Sequence, residues 1–309
     1  MKMSLSILFS LSLLFTQPDL KPASDKPGTI LWKITAPELK KPSYLLGVNH
    51  VVSSDFLYSF PEIKSAIESS EILMTELFGD NQTAVYGNNS DKNIGPDSAL
   101  KAVKLLTPEE HNTVDSFFVA RVGEGITGNP DALEMNVWEF GSAVLTTLMS
   151  DKTRQGVTLP NMDRELYYAF KRKHKRCIGL DSMGNFALSS SDSTKARRLL
   201  SSLVERIRTD AYAGSDQPGL AKQADREIAV YKSMSYDYQF SKADPETSAL
   251  LASNTSAQRN EKWMADIRSG IAENSCLIAV GAGHLLYKTG LISLLRKNGY
   301  KVEPVAIKR

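Results

Sequence analysis

Cysteine is nearly absent from this sequence, and its scarcity excludes a class of architecture. The 309 residues hold two cysteines, Cys177 and Cys276, too few for a disulfide-stapled scaffold. No Cys/Cys/His spacing marks a structural zinc site. Each cysteine opens an apolar run, CIGL and CLIAVG, where a lone cysteine is ordinarily a small core residue. In an oxidising compartment the two could instead pair. An excess of one charge is also lacking. With 37 basic and 35 acidic residues the formal net charge is +2, and no arginine–aromatic interleaving occurs, so nucleic acid is not expected as a partner. Beyond the first residues no apolar stretch is long enough for a transmembrane helix. What remains is a composition, 42% hydrophobic and 23% charged, that suits a globular chain with a sizeable core.

The N-terminus has the signature of export. Lys2 supplies a short positive region, and LSILFSLSLLF from Leu5 to Phe15 is a compact apolar run that Thr16-Gln17-Pro18 ends. Such a run is too short to span a bilayer of roughly 30 Å as a helix, but it fits the core of a signal peptide. Residues 1–23 are therefore expected to be a signal peptide with a polar tail, directing the chain to the periplasm or the exterior. An uncleaved signal anchor is the alternative.

The rest, 24–309, is expected to be one domain of α/β (mixed α+β) class. Thr29–Thr35 and Ser43–Val48 read as two strands of a hairpin. Pro61–Ser70 reads as a helix with proline in its first turn, and Glu71–Leu77 as a short buried strand. The Asn/Gly/Ser-rich stretch 81–96 reads as a loop. A large helical insertion, about 98–256, follows. Within it Thr107-Pro108-Glu109-Glu110 resembles a helix cap with an acidic first turn. Apolar residues recur at helical spacing over Asp131–Met149 and Arg164–Lys173. Near the C-terminus, Ala257–Ala272 reads as a helix, Cys276–Val280 as a buried strand, Thr289–Lys297 as a helix and Tyr300–Ile307 as a last strand. The expected centre is a mainly parallel sheet built from the two ends of the chain.

Chemistry concentrates at two histidines of the four. His111 and His174 lie in charged surroundings and read as exposed. The other two share a spacing: Gly47-Val48-Asn49-His50 and Gly281-Ala282-Gly283-His284. Each motif follows an apolar strand. In open α/β sheets ligands bind beyond the carboxyl ends of the strands, and glycine there allows a tight turn or close backbone approach. Histidine is a common metal ligand. Each histidine alone reads better as the cap of a turn; the pair points to a site. Glu76 ends the third strand among apolar neighbours, and a buried carboxylate needs a partner. A metal ion would serve, as would a lysine or arginine. Arg259 could pair with Glu76 or grip a substrate carboxylate, although its spacing alone suits a solvated surface residue.

Several runs together resemble the TraB/GumN group, related to the Tiki proteins. They are Leu31-Trp32-Lys33-Ile34, Tyr44 to His50, Pro61…Ala66-Ile67, Thr75-Glu76-Leu77, Asp163…Leu166…Ala169 and Gly179-Leu180-Asp181. Further on come Arg259-Asn260…Trp263-Met264…Ile267, Val280 to Leu285, and Gly290-Leu291…Gly299-Tyr300. The resemblance covers most of the chain after the leader. It implies an α/β core shared with erythromycin-esterase-like and ChaN-like proteins and, from the Tiki proteins, a divalent-metal-dependent protease. Carried over by residue, it gives His50, Glu76 and His284 as metal-site residues, with Glu76 and Arg259 catalytic and Gly47 and Gly281 as motif glycines. Zn, Mn or Co would fit such ligands, and the substrate would be a peptide or protein. Two departures stand out. Val48 replaces the usual threonine of the first motif, and Asp181 replaces a usual glutamate. They leave open a noncatalytic exported protein that binds a metal or ligand in the same crevice.

Overall fold

The computed structural model describes residues 25–50, 52–81, 99–149, 162–181, 188, 190–212, 220–245 and 255–308. The leader, and the loop expected over 81–96 apart from Asn81, lie outside these residues. Six strands form one mixed sheet: β1 (Leu31–Thr35), β2 (Ser43–Val48), β3 (Ile72–Thr75), β4 (Arg176–Gly179), β5 (Cys276–Gly281) and β6 (Lys301–Pro304). Their spatial order is β4-β3-β5-β2-β1-β6. Strands β4, β3, β5 and β2 run parallel, whereas β1 is antiparallel to both β2 and β6. The β1–β2 hairpin expected from sequence forms, with Leu31 opposite Leu46.

Helices cover both faces, which explains why the central strands β2, β3 and β5 are mainly apolar rather than alternating. Helices α9 (Ser256–Glu273) and α10 (Leu291–Lys297) pack Trp263, Ile267 and Leu295 on one face, against Trp32, Leu45, Met74 and Ile278. On the other face lie α2 (Pro61–Ser69), α6 (Met162–Arg172) and α8 (Leu220–Ser233). They supply Ile63, Phe170 and Tyr231 against Leu46, Leu73 and Leu277. The two cysteines fall on opposite faces, Cys276 in the first layer and Cys177 in the second. Both are free, so the bridge that export would permit does not form. A third core joins α3 (Pro108–Val122), α5 (Val137–Met149) and α7 (Ser193–Tyr212) through Phe117, Phe140 and Leu203. No helix among the described residues is long and apolar enough to cross a membrane.

Of three local departures from the sequence expectation, the first two have a visible physical cause. The helix expected over Asp131–Met149 is two: α4 (Pro130–Glu134) and α5. Asn136 interrupts it, because its side chain accepts from the N–H groups of Trp138 and Glu139 and so caps a new helix. The third strand stops at Thr75, whose hydroxyl bonds both the N–H and the carbonyl of Phe78 and turns the chain. Glu76 therefore stands just beyond the strand. The last strand ends at Pro304 rather than Ile307.

Candidate functional site

The two Gly-x-x-His motifs leave neighbouring parallel strands. Gly47 lies opposite Val280, and Val48 opposite Gly281. Strand β3 flanks β5 on its other side, so Glu76 emerges at the same sheet edge. The two glycines do different work. A Cβ on Gly47 would lie 3.2 Å from the Ala282 Cβ, so this glycine lets the second motif pack against the first strand. A Cβ on Gly281 would lie 3.1 Å from Glu76 Oε1 and 3.3 Å from His50 Nε2, in the space that the polar groups face. The Gly281 N–H also donates to Glu76 Oε1 at 2.7 Å.

On one side of this space stand His50, Glu76 and Asp163. His50 Nε2 is 3.7 Å from Glu76 Oε1, and its Nδ1 is 3.5 Å from Asp163 Oδ2. One ligand atom from each of the three residues lies within 4.8 Å of the others. The His50 ring is half exposed, whereas both carboxylates are buried. Asp163 sits in the first turn of α6, and its Oδ1 is buried without a hydrogen-bond partner. Burial pushes its carboxyl up to about 7, with the Glu76 charge adding to the rise and His50 opposing it. Loss of solvent works against protonation of His50, but Asp163 and Glu76 outweigh it and raise the pKa. An unpartnered buried carboxylate oxygen is costly, and a cation would satisfy it. This donor set, two carboxylates and an imidazole around a space kept open by a glycine, fits a divalent metal.

On the other side, Arg259 organises the remaining groups from the first turns of α9, whose start Thr255 and Gln258 close as a capping box. Its guanidinium donates to Glu76 Oε2 at 2.5 Å and, through Nε, to Asp181 Oδ2 at 2.8 Å. Its Nη1 lies 3.1 Å from His284 Nε2. Arginine can only donate, so this nitrogen of His284 accepts. The proton is then on Nδ1, which faces Asn260 Oδ1 at 2.7 Å. Burial lowers the His284 pKa to about 4, Glu76 opposing the fall and the Arg259 charge adding to it; the ring is neutral at pH 7. Trp263 donates to Asp181 Oδ1 at 3.1 Å, and its ring lies tilted against His284, centroids 4.6 Å apart, and beneath Arg259. Burial opposes ionisation of Glu76. In acid, where the imidazoles are protonated, the charges of His284, His50 and Arg259 and the Gly281 N–H together hold its carboxyl below the usual carboxylate range.

A family model described as the TraB/PrgY/gumN family matches residues 30–304. The chain belongs to this family. No curated protein and no solved structure matches the chain. The matched span runs from the residue before β1 to the end of β6, so the family's domain contains every strand and every group described above. At the departures that the resemblance exposed, Val48 is buried and lines the site's cleft, while Asp181, despite its shorter side chain, reaches both Arg259 and Trp263.

His50, Glu76, Arg259 and His284 thus meet in one cleft of about 840 Å³, whose walls include Val48, Val230, Tyr236 and Leu286. His284 Nε2 lies 3.7 Å from Glu76 Oε2. Neither His111 nor His174 lines the cleft. The basic run 171–176 is structural in part. Lys171 pairs with Asp80, and Lys175 donates to the carbonyls of Glu68 and Ser70 at the end of α2. Three polar groups of the site were not singled out by residue chemistry: Asp163, Asp181 and Asn260. All three appear in the sequence only within the runs that carry the resemblance, Asp181 there as a departure from the usual glutamate. Asp163 looks like any acid in a first helical turn, and Asn260 like a polar residue beside Arg259.

Proposed function

We propose that this protein is a divalent-metal-dependent hydrolase acting on a peptide bond, and that it is exported. The observation that carries the reading is the convergence of His50, Glu76 and Asp163, with the buried Asp163 Oδ1 left without a partner. These three residues would hold the cation, and His284 stands beside them on the same Glu76 carboxylate. A bound divalent cation supplies Lewis acidity, polarising a carbonyl and lowering the pKa of water to near 7. Zn, Mn and Co all suit these ligand types.

The chain's own groups then have separable tasks. Arg259 keeps Glu76 ionised and in place, so that Glu76 serves as a ligand or as the acceptor of a proton. Asn260 fixes the His284 tautomer, as partners of metal-site histidines commonly do. Gly281 preserves the central space. The half-exposed His50 marks the open side from which a substrate carbonyl can approach. The apolar run Leu5–Phe15 supports export.

The test uses protein stripped by a chelator and reloaded with each cation. Metal content and turnover of a peptide library are then measured for the wild type, His50→Ala and Asp163→Asn. Both variants are expected to lose tenfold or more in cation affinity, roughly the scale set for residues that support metal ligands, and to lose turnover. Unchanged metal content and turnover in both variants would refute the proposal. Cation binding with no hydrolysis of any peptide would instead mark a noncatalytic binding protein. Secretion of a reporter fused to residues 1–30, lost when the apolar run is interrupted by charge, tests export.

A further inference from the structure

The cleft carries a second kind of information on its outer wall, contributed by α8. Arg226 and Val230 both line it. They are four residues apart on one helix, so their side chains share a face with Cβ atoms about 5–6 Å apart. Among the described residues Val230 is one of the few large apolar side chains left exposed, at 39%. Tyr236 and Leu286 extend this apolar wall. The cations of the cleft differ in what they face. Arg259 is already matched by Glu76 and Asp181. Arg226 is exposed, and among the described residues no carboxylate pairs with it. Its neighbour Glu227 is engaged in interactions of its own and acts on the Tyr236 hydroxyl.

We propose that Arg226 and the apolar wall of Val230, Tyr236 and Leu286 form a subsite for a peptide segment that combines an apolar side chain with a carboxylate. The proposal rests on the hydrolase reading for its setting and names the substrate class of that same cleft. An apolar residue seated on Val230 presents its neighbouring carboxylate to the guanidinium one helical turn away. Arginine binds a carboxylate through two parallel N–H donors. The carboxylate is either the free end of the chain or an adjacent Asp or Glu side chain, both of which offer the same planar acceptor.

Labelled peptides with one apolar core sequence distinguish these sources: one with a free C-terminus, one amidated, one amidated with an internal Asp, and one amidated with Lys in place of that Asp. Kd is measured by fluorescence anisotropy and kcat/KM by cleavage, for wild type, Arg226→Glu and Arg226→Lys. Wild type is expected to prefer the carboxylate peptides. Arg226→Glu should weaken their binding by roughly tenfold or more, as loss of a charge-assisted hydrogen bond implies, and should favour the Lys peptide. Arg226→Lys should retain part of the preference. A preference confined to the free C-terminus or to the internal Asp identifies the source of the carboxylate. Equal affinity for carboxylate and amidated peptides, unaltered in Arg226→Glu, overturns the subsite, as does failure to bind any of them. Carboxylate-selective binding without cleavage would sink the hydrolase reading and leave the subsite standing. Cleavage without charge preference would do the reverse.

Discussion

At the scale of single residues, the decisive position is one without a side chain. The Gly281 backbone donates to Glu76 and leaves free the volume bounded by Glu76 Oε1 and His50 Nε2. Its φ is ordinary for any residue, since it is not among the positive-φ glycines. The requirement is therefore space. Gly281→Ala is expected to fold, with an unfolding midpoint close to the wild type, but to lose cation binding by calorimetry. A variant that binds the cation as tightly as the wild type would show that the metal is held elsewhere. The neighbouring Arg259 is different in kind, because Glu76 and Asp181 both depend on it for neutralisation. Residue chemistry alone left Arg259 between a surface role and a pairing role; burial among three partners makes it part of the site. Asp163 had no such signal, since nothing in Asn161-Met162-Asp163-Arg164 marks a carboxylate that will be buried beside a histidine over a hundred positions earlier.

At the scale of elements, caps and clamps explain where helices begin and how they hold together. Thr107 and Glu110 form a capping box at the start of α3, as the Thr-Pro-Glu-Glu run suggests. The structure adds a second duty for Glu110. Its carboxylate receives two bonds from Arg197 of α7, at 2.9 and 3.0 Å, and one from Ser201. Arg197 above all holds the Glu110 carboxyl at about 2, against an ordinary 4.5. A depressed folded-state pKa means that the ionised carboxylate stabilises the fold above about 4.5, and that this contribution disappears as pH falls toward about 2. Glu110→Gln keeps an acceptor for the cap and removes the charge. It should cost roughly 1–2 kcal/mol at neutral pH in urea unfolding, allowing for solvent screening at the partly exposed Arg197. The difference from wild type should vanish on acidification through that window. A difference that persists at pH 2, or grows there, would contradict the clamp.

At the scale of the whole molecule, the site joins parts that are far apart in sequence. His50 follows β2, Glu76 follows β3 and Asp163 opens α6. A cation held by the three would tie the sheet edge to a helix of the second core layer. Binding only the folded state stabilises by mass action, by about 2.7 kcal/mol at a free concentration 100 times Kd. Thermal unfolding of chelator-treated protein should therefore shift upward on adding Zn, Mn or Co and return with chelator. The shift should be absent in Asp163→Asn. A midpoint indifferent to all three ions at saturating concentration would remove the case for a cation at this site.

The sequence by itself determined most of the strands and helices, that the strands before Glu76 and before the second motif would be buried, and that two Gly-x-x-His motifs would sit past strand ends. These follow from short-range pattern: continuous apolar runs, proline and capping residues at helix starts, glycine after strands. It determined a sheet but not its order. Only the tertiary structure decided that β5 would insert between β2 and β3, and that ordering is what brings His50, Glu76 and His284 to one edge. It likewise decided that Asp163 and Asp181 would turn inward, and that Cys177 and Cys276 would face opposite layers. The reason is physical. Side-chain direction and strand neighbours depend on packing between segments distant in the chain, and local propensity carries no information about which segments will meet.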